Sequence, residues 1–305
     1  MTGTQSQQTL AGAKTKAFLN STCGNAEKAR AALSAAGVET EEARADVLRD
    51  HMERAVAAGA RRILVAGGDG TIASAAALVA GKKTELAILP GGTLNHFAKD
   101  HGIPTDLDEA ARVAAEGTVE GADLGYVNDT VFLNTSSIGV YVTFVRVRER
   151  FEKSFGYTLA SFLAFGRMFS SLRTFDVELE VEGAKKSYRT SLVFIGVGER
   201  ELQLPALGSR IAKGGRRALH VMIVRGRRPA RLFAVALAGI ARGTKSAASL
   251  PQFDSFLVDS CRIDLRRPRA IIALDGELKY MNTPLEYRIE RDAIRLVVPA
   301  ADRSE

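Results

Sequence analysis

Short apolar runs separated by glycine-rich turns mark the first 120 or so residues of this 305-residue chain. Lys16-Ala17-Phe18-Leu19, Ile63-Leu64-Val65-Ala66 and Leu86-Ala87-Ile88-Leu89 read as buried strands. Between and after them the spacing predicts helices over Ala26–Ala36, Glu41–Ala58, Ile72–Ala80 and Leu94–His101. A further helix opens at Asp106-Leu107-Asp108-Glu109-Ala110, where the acids complement the helix dipole, and closes at Gly117. Asn25 suits the first helix as N-cap and Gly37 as stop, while Gly59 ends the second. Strands alternating with helices predict parallel βαβ units, with ligands bound beyond the carboxyl ends of the strands.

After Gly121 the pattern changes. Ala122–Val127 and Thr130–Asn134 flank an Asn128-Asp129 turn, a hairpin signal. Val177–Val181 alternates apolar and polar residues and turns at Glu182-Gly183. Ser191–Gly196, Leu219–Val224, Phe256–Leu265, Ala270–Leu274, Pro284–Ile289 and Ala293–Pro299 are further predicted strands. This half is β-rich and antiparallel, and a sandwich is its expected form. Two apolar helical stretches interrupt it, Phe155–Leu172 and Arg231–Arg242, for which core packing is the default and a lipid surface the alternative. The expected organisation is a disordered tail over 1–13, an α/β domain over 14–124 and a β-rich domain over 125–305, whose last strand is free to return to the first domain.

Composition narrows the picture. At 46% hydrophobic and 25% charged the chain is that of a globular protein, and no apolar run reaches the ~20 residues a membrane span needs. The polar N-terminus lacks the apolar core of a signal peptide, so a cytoplasmic protein, peripheral at a membrane, is expected. Cys23 and Cys261 form no disulfide framework, and the four histidines include no HExxH pair. Charge is uneven: residues 1–130 hold 13 Lys/Arg against 17 Asp/Glu, whereas 200–270 hold 15 against 4. That basic stretch is either a solvated face or meets an anionic partner. No nucleic-acid-binding signature accompanies it, so no nucleic acid is expected and an anionic membrane surface is the candidate.

The glycine turns carry the chemistry. Gly67-Gly68-Asp69-Gly70-Thr71 follows one buried strand and Pro90-Gly91-Gly92-Thr93-Leu94-Asn95 the next. Glycines let the backbone approach a ligand and let N–H groups form an anion nest, so both turns are predicted to face phosphate. The loop Asn20-Ser21-Thr22-Cys23-Gly24-Asn25 either joins them or is an ordinary βα turn. There is no GxxxxGK[ST]. Gly68-Asp69-Gly70-Thr71-Ile72-Ala73 fits the dinucleotide fingerprint, but the next strand ends in a second glycine turn rather than the acid a ribose needs. Thr71 and Thr93 offer hydroxyls to phosphate oxygens. Asp69 either holds Mg²⁺ through water or caps a neighbouring turn, and Asn95 either orients its loop or touches the nucleotide.

These two turns, with Leu94-Asn95-His96-Phe97-Ala98 and a distant Asp275-Gly276-Glu277, resemble the diacylglycerol kinase catalytic domain family, which includes sphingosine and ceramide kinases. The resemblance runs from about Lys16 to Pro299. It implies a three-layer α/β domain similar to phosphofructokinase and NAD kinase, then an antiparallel β-sandwich, with ATP and Mg²⁺ bound in the cleft between them. It implies nucleotide binding by Asn20, Gly67, Gly68, Asp69, Gly70, Thr71, Ile72, Ser74, Gly92, Thr93 and Asn95, and metal contacts through water or ATP phosphates at Asp69 and Asp123. It further implies that Asp275 or Glu277 is the base on a hydroxyl of a diacylglycerol-like or sphingoid lipid. Below the resemblance, Asp-Gly-Glu alone is more simply a hairpin turn.

The chain departs from the family at Val197-Gly198-Glu199-Arg200 and at Lys213-Gly214-Gly215-Arg216-Arg217-Ala218-Leu219, basic where relatives hold a structural Mg²⁺. That second metal site is expected to be absent. An NAD-kinase-like enzyme and an inactive nucleotide- or lipid-binding protein are the alternative readings. The sequence leaves the lipid and the oligomeric state open, a homodimer included.

Overall fold

The computed structural model describes residues 15–148, 150–151, 174–200, 215–225 and 253–300. The predicted helices Phe155–Leu172 and Arg231–Arg242 and the tail 1–13 lie outside the described residues. The chain forms two units: one runs to Leu124 and resumes at Arg291, and the other is Gly125–Glu290.

The first unit runs β1 (Thr15–Asn20), α1 (Ala26–Ala35), β2 (Thr40–Ala43), α2 (Ala45–Ala57), β3 (Arg62–Gly67), α3 (Asp69–Val79), β4 (Glu85–Pro90), α4 (His96–Asp100) and α5 (Leu107–Glu116). Its strands are parallel in the order β2-β1-β3-β4, and the chain's final strand returns beside β4 with Leu296 opposite Leu86. Every residue of β3 and β4 is buried. Burial on both faces is why these strands read as unbroken apolar runs rather than alternations. Ala17, Leu19, Leu64, Ala66, Ala87 and Leu89 pack on one face against Ala29 and Leu33 of α1 and Ala110 and Ala114 of α5. The helices α2 and α3 contribute further buried residues, among them Leu48, Met52, Ile72 and Val79, which gives the three-layer α/β arrangement. Each fully buried Leu or Ile contributes about 1.5–3 kcal/mol to this core.

The structure corrects the predicted helix over Glu41–Ala58. Thr40–Ala43 is an edge strand pairing with β1, Ala17 opposite Thr40, and the helix starts at Ala45. The apolar pattern did not betray the strand because only one face of it meets the protein. Glu42 instead accepts a two-pronged ion pair from Arg30 on α1 at 2.7 and 2.8 Å.

Strand β5 (Thr118–Val127) carries the chain into the second unit. There follow β6 (Thr130–Phe132), β7 (Thr135–Gly139) and a helix, α6, over residues 140–148. Then come β8 (Phe175–Val181), β9 (Ala184–Val197), β10 (Leu219–Arg225), β11 (Phe253–Val258), β12 (Ser260–Leu265), β13 (Arg269–Leu274), β14 (Glu277–Asn282) and β15 (Leu285–Val298). The pairings within this unit are antiparallel, along β14-β13-β7-β9-β8-β12-β15, with β10 also on β9 and β11 on β10.

Strand β9 belongs to both halves of the unit. Up to Thr190 it pairs with β8, and from Leu192 with β7 and β10. Tyr188 and Val193 both face the core although an odd number of steps apart, so one residue must be extra. It is Ser191, where the register against β10 slips: Arg225 faces Thr190 and Val224 faces Leu192. The Thr190 hydroxyl stabilises the bend, donating to Val224 O at 2.7 Å and accepting from Leu192 N at 3.0 Å. The β-sandwich this creates encloses Val193, Ile195, Val221, Ile263, Ile272 and Tyr287 in one apolar core. The predicted strand Phe256–Leu265 is in fact two, β11 and β12, which diverge to different partners.

Candidate functional site

Three loops leave the carboxyl ends of the adjacent strands β1, β3 and β4, and they are tied to one another. Asn20, buried at the end of β1, donates from Nδ2 to Thr71 Oγ1 at 2.9 Å. Its Oδ1 accepts from Thr22 N at 3.1 Å and Thr22 Oγ1 at 2.8 Å, so one amide fixes both its own loop and the first turn of α3. Gly91 N donates to Gly67 O at 2.8 Å, and Asn25 N to Gly91 O at 3.3 Å. The loop 20–25 is therefore part of this cluster, and Asn25 spends its side chain there instead of capping α1.

The glycines are needed for close approach. A Cβ on Gly92 would lie 2.8 Å from Gly68 Cα and 2.9 Å from Asn95 Oδ1. One on Gly67 would meet the Thr71 side chain at 2.7 Å. Asn95, in left-handed backbone at φ 52°, staples its own turn: Oδ1 accepts from Gly92 N at 3.0 Å and Nδ2 donates to Gly92 O at 2.9 Å and Pro90 O at 3.2 Å. Of its two predicted roles, the geometry supplies loop orientation. Asp69 reaches the N-terminus of α4, accepting from His96 N at 3.4 Å and Phe97 N at 3.5 Å, which is the turn-capping role.

The other predicted nucleotide residues distribute unequally. Gly68 and Gly70 flank the start of α3, whose N-cap, Gly68, makes no side-chain cap. Thr93 is exposed at its loop tip. Ile72 is buried in the core, and its N–H is used by Gly68 O. Ser74 lies one turn along α3 and accepts from Arg49 Nη1 at 3.3 Å. Cys23 packs against Gly91, and burial pushes its thiol above the ordinary range.

Asp123, at 2% exposure, accepts from Asp292 N at 3.1 Å, where Asp292 turns at φ 53°. Among the described residues no three His, Cys, Asp or Glu side chains converge as a metal cage. Asp69 and Asp123 both accept from backbone N–H groups.

In the second unit Asp275 and Gly276 form the two-residue turn between β13 and β14, with Leu274 paired to Glu277. Both turn residues have positive φ, 47° and 86°, the type I′ geometry that favours an Asp-Gly pair. The Asp275 carboxylate accepts three backbone bonds: Leu133 N at 2.7 Å on Oδ2, and Asn134 N at 2.8 Å and Thr135 N at 2.9 Å on Oδ1. It therefore holds the corner between β6 and β7. Glu277 is exposed, with Lys279 Nζ at 3.4 Å. The two acids stand in different chemical situations, one committed to the backbone and one presented outward.

Residues 14–127 match the diacylglycerol kinase catalytic domain profile. Over that span the chain is similar to the diacylglycerol kinase catalytic domain. It is 34% identical over 155 residues to a protein of Cronobacter sakazakii named "Probable lipid kinase YegS-like", and 38% identical over 152 residues to one of the same name from Pseudomonas syringae pv. tomato. Each match takes in 48% of this chain, and the chain spans about half the length of these curated relatives, 50% and 48%. A solved structure described as a diacylglycerol kinase from Bacillus anthracis str. Sterne superposes with TM-score 0.70 at 21% identity, over 93% of this chain and 96% of that one. That likeness extends the shared fold beyond the diacylglycerol kinase catalytic domain to most of the chain.

His220 links residues 197–200 to residues 215–220, on either side of a stretch outside the described residues. Its Nδ1 accepts from Arg200 N at 3.0 Å, so Nε2 carries the proton and faces Ser255 Oγ at 2.6 Å. This tautomer cannot take a proton from Ser255, which rules the pair out as a nucleophilic dyad. Glu199 and Arg216 exchange backbone and side-chain bonds across the same segment. Sequence reasoning did not foresee the Leu133–Thr135 nest around Asp275. Its donors are backbone N–H groups, which no residue type announces.

Proposed function

We propose that this protein is a lipid kinase that transfers the γ-phosphoryl group of ATP to a hydroxyl of a diacylglycerol-like or sphingoid lipid. The observation that carries the reading is the cluster of three glycine-linked loops at the ends of β1, β3 and β4, inside the span that matches the diacylglycerol kinase catalytic domain. Gly68 and Gly70 leave the N-terminus of the eleven-residue α3 without bulky side chains, and backbone N–H groups there suit phosphate. The residues fit a triphosphate. Among the described residues no three His, Cys, Asp or Glu side chains converge, and in this reading magnesium arrives on the nucleotide.

Phosphoryl transfer needs positioning, charge neutralisation and a base at the acceptor hydroxyl. In this reading Glu277 is the base, because its carboxylate is presented outward while the Asp275 oxygens already accept three backbone bonds. Asp275 fixes the turn that carries it. The acceptor reaches the protein from an anionic membrane surface, met in part by the basic stretch 200–270.

The test is labelled ATP with magnesium, offered to mixed vesicles containing diacylglycerol or sphingosine and, separately, to NAD. Label in a lipid supports the proposal. Label only in NAD identifies the soluble-kinase alternative, and label in neither identifies a binding protein.

A further inference from the structure

Arg148 stands on α6 with its guanidinium against the Asp275-Gly276 turn. Its Nη2 donates to Gly276 O at 3.0 Å, and a Cβ built on Gly276 would lie 3.7 and 3.9 Å from its two terminal nitrogens. The side chain is half-buried. A bond from a charged donor to a carbonyl is stronger than a neutral one, and here its acceptor is the peptide immediately before Glu277.

The helix bearing Arg148 is tied to the same strands by packing. Val142 and Val145 are buried against Ala273, with Tyr141, Phe144, Ile271 and Leu278 around them. Ile271, Ala273 and Leu278 lie on β13 and β14, the two strands that the turn joins. The Asp275 carboxylate holds the other side of the turn through Leu133, Asn134 and Thr135. The chain from 133 to 148 thus leaves the turn at its carboxylate and returns to it at its carbonyl. A type I′ turn bonded at both points is held against pivoting.

We propose that Arg148 is a positioning residue: it clamps the Gly276 carbonyl and so fixes the direction in which Glu277 leaves the turn, coupling the seat of α6 to the acidic turn. The role of Glu277 as base rests on the function proposed above. The clamp itself does not, and the experiment separates the two.

Arg148→Met, Arg148→Lys and Val145→Ala are compared with wild type in two measurements. The first is hydrogen exchange of peptides covering Leu274–Leu278. Arg148→Met speeds exchange there at least fivefold, Arg148→Lys recovers part of the protection through its own N–H donor, and Val145→Ala, which thins the apolar seat but leaves the clamp, changes it less. The second is phosphoryl transfer. Arg148→Met lowers kcat about tenfold, or about 1.4 kcal/mol, and leaves KM for ATP unchanged, because Arg148 lies outside the nucleotide loops. Unchanged exchange in Arg148→Met overturns the clamp whether or not the protein transfers phosphate. An increase in exchange in Val145→Ala equal to that of Arg148→Met also overturns it, since seating alone would then suffice. Faster exchange with wild-type kcat refutes the link to Glu277. If wild type phosphorylates no lipid, the function proposed above fails while the exchange data still decide the clamp.

Discussion

Substituting Gly92 by alanine puts the contact between the two glycine loops under direct strain. The added Cβ would lie 2.8 Å from Gly68 Cα, about 0.6 Å inside the 3.4 Å at which ordinary contact begins, and 2.9 Å from Asn95 Oδ1. Neither neighbour can yield freely. Gly68 is backbone at the start of α3, and Asn95 holds the loop through three bonds. Overpacking of this kind costs about 1–3 kcal/mol, whereas alanine returns about 0.4–1 kcal/mol by restricting the unfolded chain. The expected net loss is about 1–2 kcal/mol, together with weakened ATP binding as the loops separate. Gly68→Ala is the control, because its Cβ would meet only Gly92 Cα, at 3.5 Å. Urea unfolding of the two variants and titration with a non-hydrolysable ATP analogue decide the matter. If Gly92→Ala were as stable as Gly68→Ala and bound the analogue like wild type, the loops would not pack as described.

Asp275→Asn tests the other end of the proposed chemistry. Asparagine tolerates the positive φ but sets an NH₂ against one of the three N–H donors of Leu133–Thr135, so stability should fall by about 1–3 kcal/mol, read from the denaturation midpoint. The pH dependence of stability should carry the signature of His220. Burial lowers its pKa below 6.5, so the folded state resists protonation that the unfolded state accepts. Its contribution is complete above about pH 6.5 and is lost as pH falls through the folded-state value. Wild type should therefore lose more stability than His220→Asn between pH 7 and pH 5.5; equal losses would remove His220 as the cause.

Much of the first unit was legible because its strands are buried on both faces and its turns are spelled in glycine. The edge strand Thr40–Ala43 was not, since a strand with one partner and acidic side chains carries no apolar signature. In the second unit β7, Thr-Ser-Ser-Ile-Gly, escaped notice because small polar residues fill its buried positions, Ser136 meeting Tyr287 OH at 2.9 Å. The Asp-Gly pair announced its hairpin correctly. That Asp275 faces inward to three backbone donors while Glu277 faces out depends on where residues 133–135 pass, some 140 residues away in sequence, and local pattern cannot report it.

The central claim is that Glu277 is the base of a lipid kinase whose turn Asp275 holds. The rate of phosphoryl transfer from saturating labelled ATP to vesicle-borne diacylglycerol or sphingosine, compared between wild type and Glu277→Gln, tests it most directly. The account predicts a fall of about 10²–10⁴-fold with unchanged affinity for the ATP analogue and unchanged stability. Transfer by Glu277→Gln at the wild-type rate would contradict it.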